Sequence, residues 1–298
     1  MTHTADIVLF TVNDFETQEV WRAFGKSADA QPNGARTYWN YGEIGGARIV
    51  HAQSNMADLA AGEAARDAMD CWRPTLLIAV GIAWGADRDT QAIGDILVAD
   101  PLVDADYDKR NPPNGDKARG DPFVQNDRLR SIIATCASDR RGGATEAHGA
   151  LTVGRVLSLP TLIDDIAERK RLIKAHPGAI GGEMEGRGMV SAAFNRRCDW
   201  LLIKAICDWG FGKNAVPGEK ERDQQIAARN AADFVRYAVE QGLGGYAAHQ
   251  RAARQAAGGA ASPSAPRVVN HGTFIETLNA ENVTFGVPMG GKTGRGSD

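Results

Sequence analysis

Apolar runs rich in β-branched residues alternate with helical patterns along most of this chain, and this alternation limits the folds open to it. Residues 6–12 (DIVLFTV), Thr75–Val80 and Trp200–Ile206 (WLLIKAI) have the composition of strands buried on both faces. An alanine-rich helical stretch over Met56–Trp72 precedes the second run, and an amphipathic helix over Asp223–Gln241 follows the third. Strands that alternate with helices predict an α/β domain around a largely buried sheet.

Composition excludes several classes of function. The 298 residues include 34 Lys and Arg against 37 Asp and Glu, and a net charge of −3 gives no support to nucleic-acid binding. No apolar run reaches the ~20 residues that a membrane helix needs, and no basic segment typical of a signal peptide opens the sequence. We therefore expect a cytoplasmic protein without a membrane or nucleic-acid partner.

Cysteine and histidine spacing predicts no metal site. The four cysteines are scattered without CxxC spacing, which favours buried thiols in a reducing compartment, and the six histidines lack metal-ligand spacing. The sequence also contains no P-loop and no GxGxxG motif. We expect the chain to work without a cofactor.

Changes in composition divide the chain into three parts. Residues 1–246 form the α/β domain, in which residues 106–145, rich in Pro, Gly, Asp and Arg, are predicted to be a surface insertion. Residues 247–266 are dominated by Ala, Arg, Gly, Ser and Pro, which is typical of a linker. Residues 267–298 contain two β-prone pieces, TFIETL and NVTFG, and are predicted to form a C-terminal tail.

Three acidic clusters follow predicted strands, where open α/β folds usually bind ligands. They are Asn13–Glu16, Gly182–Gly186 and Cys207–Trp209. Any one of them alone is most simply a helix cap or a solvated turn. Together, and beside a glycine-rich turn after another buried strand, they predict a cleft lined with carboxylates. Such a cleft suits a substrate that becomes positive in its transition state, such as an oxocarbenium ion at a sugar carbon.

Four segments carry a resemblance to a known family. Ala179–Gly188 (AIGGEMEGRG) resembles the EMEA/EMEG segment of the nucleoside phosphorylase and nucleosidase superfamily, and Leu202–Trp209 (LIKAICDW) resembles the strand ending in its catalytic aspartate. The superfamily's paired glycine turn and "GD" strand have counterparts that resemble them in Leu77–Gly85 and Ile93–Val98. Its first strand and the acid that follows resemble Asp6–Glu16. The resemblance covers residues 5–241. It implies a catalytic three-layer α/β/α sandwich with a mixed, partly barrel-like sheet, and a homo-oligomer.

The resemblance also implies a role for each acid. Glu185 would accept hydrogen bonds from the ribose hydroxyls, and Met184 would pack on the sugar, although a core role for this methionine is equally open. Asp208 would hydrogen-bond or protonate N7 of a purine, because a neutral base leaves more easily than an anion, and it favours adenine. Glu16 would be the general base that takes a proton from water. The remaining residues implied to contact substrate are Glu183, Gly81, Ala83, Trp84 and Arg187.

One departure from the family bears on the nucleophile. Phosphorylases of this family hold inorganic phosphate with a serine in the glycine turn, whereas Ile82 stands at that position here. A side chain without a hydroxyl cannot donate to phosphate, so the sequence favours water and a hydrolase. Arg48 or Arg88 could still supply a phosphate site. Trp84, where glycine is usual, narrows the pocket or stacks on the base, or else is purely structural.

The GGEMEG and ICDW segments are most similar in sequence to nucleosidase effector domains of bacterial defence systems and fungal immune receptors. That branch implies ATP or a related nucleotide as substrate, and hence cationic side chains near its phosphates. Arg187, close behind Glu185 on the following helix, is the favoured candidate, although each cation alone is more simply a solvated surface charge. The other candidates are Lys109, Arg110, Lys117, Arg119, Arg155, Lys204 and Lys213.

The tail admits two interpretations. It is most simply an arm that packs on a neighbouring subunit, but it also resembles amyloid-like signalling motifs that engage a receptor. The expected partners are therefore a small-molecule purine nucleoside or nucleotide, other copies of the chain, and a receptor or activator bound through the tail. Three alternatives to a nucleotide nucleosidase remain: a phosphate-dependent phosphorylase, a methylthioadenosine-type nucleosidase of salvage, and a catalytically silent nucleotide-binding module.

Overall fold

The computed structural model describes residues 4–26, 30–33, 36–56, 58–107, 122–142, 149–212 and 217–259. Its strands are β1 (Ile7–Thr11), β2 (Ala30–Asn33), β3 (Arg36–Ile44), β4 (Ala47–Gln53), β5 (Leu76–Gly85), β6 (Ile96–Asp104), β7 (Pro122–Phe123), β8 (Leu151–Ser158), β9 (Ala179–Glu183) and β10 (Asp199–Asp208). Its α-helices are α1 (Asp14–Phe24), α2 (Asp58–Trp72), α3 (Asp127–Gly142), α4 (Ile166–Ala175), α5 (Gly186–Asn195), α6 (Glu219–Ala238) and α7 (Gly244–Gly259).

The strands form one mixed sheet, part of which closes on itself. The hydrogen-bonded order is β10-β6-β8-β9-β5-β1-β4-β3-β2, with β7 beside β6, and β10 also pairs with β5. Strands β5, β9, β8, β6 and β10 therefore make a closed ring, and β1, β4, β3 and β2 extend it as an open sheet. β1, β5 and β10 run parallel to one another, so their carboxyl ends meet at one edge. The predicted mixed central sheet is confirmed.

Helices cover both faces of the sheet, and an apolar core lies on each side. In β1, the side chains of Ile7 and Leu9 join a core that includes α1 and α6, whereas Val8 and Phe10 join a core that includes α2 and α5. This division follows from the strand period, which sends successive side chains to opposite faces. Each fully buried side chain of this size stabilises the fold by about 1.5–3 kcal/mol. A strand with apolar side chains on both faces gains this stabilisation in full only where helices cover both faces of the sheet.

The buried strands and the helices that the sequence predicts lie close to their predicted positions. The runs over residues 6–12, Thr75–Val80 and Trp200–Ile206 are β1, β5 and β10, and α2 begins two residues inside the helix predicted over Met56–Trp72. The hairpin of β2 and β3 was missed. It lies at the edge of the sheet, where most side chains of β3 are only partly buried and the sequence lacks the apolar alternation of a strand.

The predicted linker over residues 247–266 is wrong for the part of it that the structure describes. There the chain continues as α7, because alanine, the best helix former, dominates its sequence. Ala247 is fully buried, and Arg254 donates to the backbone oxygen of Pro74 at 2.9 Å. The compact unit extends over Met1–Gln255, beyond the predicted boundary at residue 246. Of the second unit only residues 256–259 are described, so the predicted tail over residues 267–298 lies outside the described residues.

None of the helices in the described ranges combines the length and the apolar composition needed to cross a membrane.

Candidate active site

A cleft of about 750 Å³, its open mouth included, lies where β1, β5 and β10 end. It brings together seven of the predicted site residues, from segments far apart in the sequence: Glu16, Ala83, Trp84, Glu183, Met184, Glu185 and Asp208. The other residues that line it are Val12, Asn13, Met56, Ile82, Leu162, Cys207, Lys220 and Gln224.

Glu16 is fixed by the turn that starts α1. The Asn13 side chain accepts a hydrogen bond from the Glu16 amide, while the Glu16 carboxylate accepts from the amides of Val12 at 2.6 Å and Ile82 at 2.9 Å. This is a capping box whose glutamate also reaches β5. The residue is 2% exposed, and burial raises the pKa of its carboxyl group, an effect that the nearby ammonium of Lys204 opposes.

Gly81 lets β5 pass the carboxylate of Glu16. A Cβ atom at this position would lie 2.0 Å from Oε1 of Glu16, far inside van der Waals contact. Gly81 is not among the residues lining the cleft. The structure therefore gives it a positioning role in place of the substrate contact that the sequence predicts.

Lys204 lies between two of the acids. This residue of β10 is 1% exposed, and its Nζ is 3.3 Å from Oε2 of Glu185 and 3.8 Å from Oε1 of Glu16. Burial alone would lower the pKa of the ammonium group, but the neighbouring glutamates raise it above its ordinary value. Lys204 therefore stays charged. It holds two carboxylates, which corrects the expectation that it contacts substrate phosphates.

Glu183 caps the helix that follows it. Its Oε2 accepts hydrogen bonds from the amides of Glu185 at 2.9 Å and Gly186 at 2.8 Å, while its Oε1 is buried and finds no hydrogen-bond partner among the described residues. Burial, together with the charge of Glu185, raises the pKa of Glu183 to about 7. This carboxyl group therefore holds a proton over much of the range in which a free glutamate is ionised.

We expect Glu183→Gln to remove a pH dependence of stability. Because the pKa of Glu183 is about 7 in the folded chain and ordinarily 4.5, the folded state holds the extra proton between these values. The free energy of unfolding of the wild type should therefore fall, relative to the variant, as the pH rises from about 4.5 to about 7, and change no further above it. Urea unfolding of both proteins from pH 5 to 8 measures this difference. A difference that is independent of pH would contradict the prediction.

Asp208 ends β10 at a break in its pairing with β5. Its Oδ1 accepts a hydrogen bond from the Gly210 amide at 2.7 Å, and the Cys207 thiol donates to Oδ2 at 3.2 Å. The side chain is half-buried and faces the cleft. Asp208 thus has a fixed orientation while remaining accessible to a ligand.

Trp84 forms part of the wall of the cleft. It is 5% exposed and joins an apolar cluster that includes Leu157 and Ile163, so it contributes to the core as well as to the cleft. A Cβ atom at Gly182 would lie 2.5 Å from the indole ring, so glycine on β9 makes room for it. Both roles considered for this tryptophan from the sequence are therefore compatible with its position.

Arg187 lies outside the cleft, which corrects the prediction that it contacts substrate. Its guanidinium group forms ion pairs with Asp58, with Asp104 at 3.2 Å and with Asp106 at 3.4 Å. Arg187 lines a separate pocket there. Arg155 donates instead to the backbone oxygen of Pro177. The remaining cations predicted for a phosphate site lie outside the described residues: Lys109, Arg110, Lys117, Arg119 and Lys213.

Two polar residues of the cleft were missed by the sequence analysis. Lys220 and Gln224 come from α6, which starts at Glu219, four residues before the predicted start at Asp223. Their signal is weak, because a charged first turn is typical of any solvent-exposed helix start. Only the packing of α6 against β10 shows that this turn reaches the cleft.

Comparison with known proteins assigns this fold and cleft to a family. A sequence profile described as the phosphorylase superfamily matches residues 7–240. The chain belongs to the phosphorylase superfamily. A superfamily relative, the Death domain-containing ATP nucleosidase of Amphimedon queenslandica, is 30% identical over 204 residues, which cover 62% of this chain and 37% of that protein. The chain therefore matches little more than a third of that relative's length.

Two further relatives are nucleosidases of bacteria. The 5′-methylthioadenosine/S-adenosylhomocysteine nucleosidase of Haemophilus influenzae is 22% identical over 181 residues, which cover 60% of this chain and 76% of that protein. The crystal structure of the Neisseria meningitidis enzyme of the same name, in complex with methylthio-immucillin-A, has a TM-score of 0.67 and 18% identity over 79% of this chain and 98% of that one. The latter likeness shows that the two proteins share a fold over nearly the whole of that enzyme.

Proposed function

We propose that this chain hydrolyses the N-glycosidic bond of an adenine nucleotide, with ATP or dATP favoured, to free adenine and a ribose phosphate. One observation carries the proposal: Glu16, Glu185 and Asp208, from three distant segments, line the same cleft. Each is held by hydrogen bonds from the chain's own backbone or from Lys204. Such preorganised carboxylates suit the cleavage of a glycosidic bond.

The reaction assigns a separate task to each acid. Glu16 takes a proton from the water whose oxygen attacks C1′ of the ribose. As the C1′–N9 bond breaks, its electron pair passes to the purine, and Asp208 delivers a proton to N7. Glu185 accepts hydrogen bonds from the ribose hydroxyls, and its charge stabilises the positive sugar of the transition state. The products are neutral adenine and the ribose phosphate that carries the hydroxyl from water.

Water is the favoured nucleophile because the end of β5, where the sequence predicts a glycine turn, offers no hydroxyl group. Ile82 lines the cleft there, and its amide already donates to Glu16. Arg88, one of the two arginines considered for a phosphate site, lies over the rings of Trp209 and Phe211 at 5.6 Å and 5.7 Å. The side chain of Ile82 has no hydroxyl group and its amide is already used by Glu16, which supports hydrolysis over phosphorolysis.

The choice of a nucleotide substrate is supported by the ATP nucleosidase relative, which is 30% identical to this chain where the two align. We further propose that the enzyme acts as a defence effector, because adenine release from ATP would deplete the nucleotide pool of a cell.

Chromatography of the reaction products tests the function. The purified protein is incubated with ATP, dATP, AMP, adenosine and methylthioadenosine, with and without inorganic phosphate. We expect free adenine from ATP or dATP without phosphate. A strict requirement for phosphate would establish a phosphorylase, and nucleotide binding without any adenine release would establish a silent binding module.

A methylthioadenosine-type nucleosidase is the second candidate. It is favoured by the likeness to the Haemophilus influenzae protein and to the Neisseria meningitidis structure. Release of adenine from methylthioadenosine but not from ATP, in the same assay, would replace the first proposal with this one.

We also propose that the chain assembles into a homo-oligomer and that residues 267–298 engage a receptor or activator. The proposal rests on the low-charge, β-prone segments TFIETL and NVTFG.

Truncation after Gly259 should change the assembly state or the response to an activator and leave the cleft intact, since α7 is retained. Light scattering and adenine release of both proteins measure this. Unchanged assembly together with unchanged activation would refute a role for the tail.

A further inference from the structure

The cleft holds more acids than cations, so a polyphosphate needs a dedicated cation there. Among the described residues that line it, the carboxyl groups other than that of Glu183, which holds a proton, are those of Glu16, Glu185 and Asp208, and the one lining cation is Lys220. Lys204 lies behind the acids. ATP carries several negative charges, and like charges repel strongly where solvent screening is weak. The triphosphate must therefore meet a cation that the acids do not already neutralise.

Lys204 does not meet this requirement, since it is 1% exposed and lies within 4 Å of two carboxylates. Lys220 differs in both respects. It is half-buried, it lines the cleft, and no ion pair joins it to another residue of the described ranges. Its ammonium group remains available to a ligand.

Gln224 extends the same surface. It lies four residues after Lys220 on α6, so the two side chains are neighbours on one side of the helix, and both line the cleft. Buried apolar residues farther along α6, such as Ala227 and Phe234, anchor the helix in the core. The first turns of α6 therefore present one ammonium group and one amide to the cleft from a fixed support.

We propose that Lys220 and Gln224 form a phosphate subsite that gives the enzyme its preference for nucleotides over nucleosides. The inference rests on the proposed function and names the part of the cleft that would hold the 5′-phosphates. The ammonium of Lys220 donates charge-assisted hydrogen bonds to phosphate oxygens, and the amide of Gln224 donates a neutral one. Adenosine carries only a neutral 5′-hydroxyl group in place of these charged oxygens.

A matched pair of variants tests the subsite. Lys220→Gln removes the charge, and Arg222→Gln removes a charge two residues away that is 62% exposed and already paired with Glu219 and Asp223. We expect Lys220→Gln to lower the ratio of kcat/KM for ATP to kcat/KM for adenosine by about tenfold or more, the usual effect of losing one charge-assisted hydrogen bond. Arg222→Gln should leave this ratio unchanged. Equal losses for ATP and adenosine, or equal ratios in both variants, would overturn the proposal.

Calorimetric binding separates this inference from the proposed function. Wild type, Lys220→Gln and Arg222→Gln are titrated with ATP and with inorganic tripolyphosphate as a competitor. If the wild type binds ATP but releases no adenine from any substrate, the proposed hydrolysis fails. The subsite then stands if Lys220→Gln alone weakens ATP binding, and fails if all three proteins bind ATP equally or not at all.

Discussion

Replacing Asp208 with asparagine should lower kcat for adenine release by at least about 100-fold, the usual contribution of a general acid, while the nucleotide still binds. An amide cannot deliver the proton that N7 needs before adenine leaves as a neutral molecule. It can still accept the hydrogen bond that Oδ1 of Asp208 receives from the Gly210 amide at 2.7 Å, so the loop after β10 should keep its position. Initial rates and the binding constant for ATP, measured on both proteins, give the two quantities.

Asp199→Asn is the matched control, because Asp199 begins the strand that Asp208 ends. Asp199 accepts hydrogen bonds from Tyr246 at 2.6 Å and from Asn126 at 2.9 Å, and it is not among the residues of the cleft. We expect this variant to retain wild-type kcat. If Asp208→Asn kept full activity, or lost nucleotide binding as well as turnover, the aspartate would not be the acid of the reaction.

The meeting of Glu16 and Asp208 could be predicted because topology requires it. Glu16 and Asp208 follow parallel strands, and strands with apolar residues on both faces have to lie in one buried sheet. Their carboxyl ends then share an edge, whatever the details of the side chains. The same reasoning does not extend to Glu183–Glu185, because β9 runs antiparallel to β5. There the prediction rests on the resemblance of the EMEG segment to the family.

The roles of the cations could not be predicted, because they depend on which way each side chain points. Arg187 follows Glu185 by two residues, but at a helix start this spacing turns the side chains to different sides, and Arg187 meets three aspartates there. Lys204 lies inside an apolar strand, where its charge alone suggests a ligand contact. That two glutamates enclose it follows only from the packing of three separate segments.

Lys204→Met should strongly destabilise the folded chain. It leaves Glu16 and Glu185 buried near each other without the cation that now lies 3.8 Å and 3.3 Å from them. Breaking a buried ion pair in this way typically costs about 3–5 kcal/mol of the free energy of unfolding, since the remaining charges lose their compensation. Lys204→Arg keeps the charge and should recover part of the loss. Urea unfolding of the three proteins measures both effects.

The pH dependence of activity shows whether Lys204 acts on the acids of the cleft or only stabilises the fold. Burial and the charge of Glu185 both raise the pKa of Glu16, and Lys204 counteracts them. Without the lysine, the pKa of Glu16 rises further, so the pH below which kcat falls should move upward in Lys204→Met and stay near the wild-type value in Lys204→Arg. If the folded methionine variant kept the wild-type profile, Lys204 would serve stability only. An upward shift would show that the ammonium group keeps the base ionised, and hence that the cluster of Glu16, Glu185 and Lys204 works as one unit.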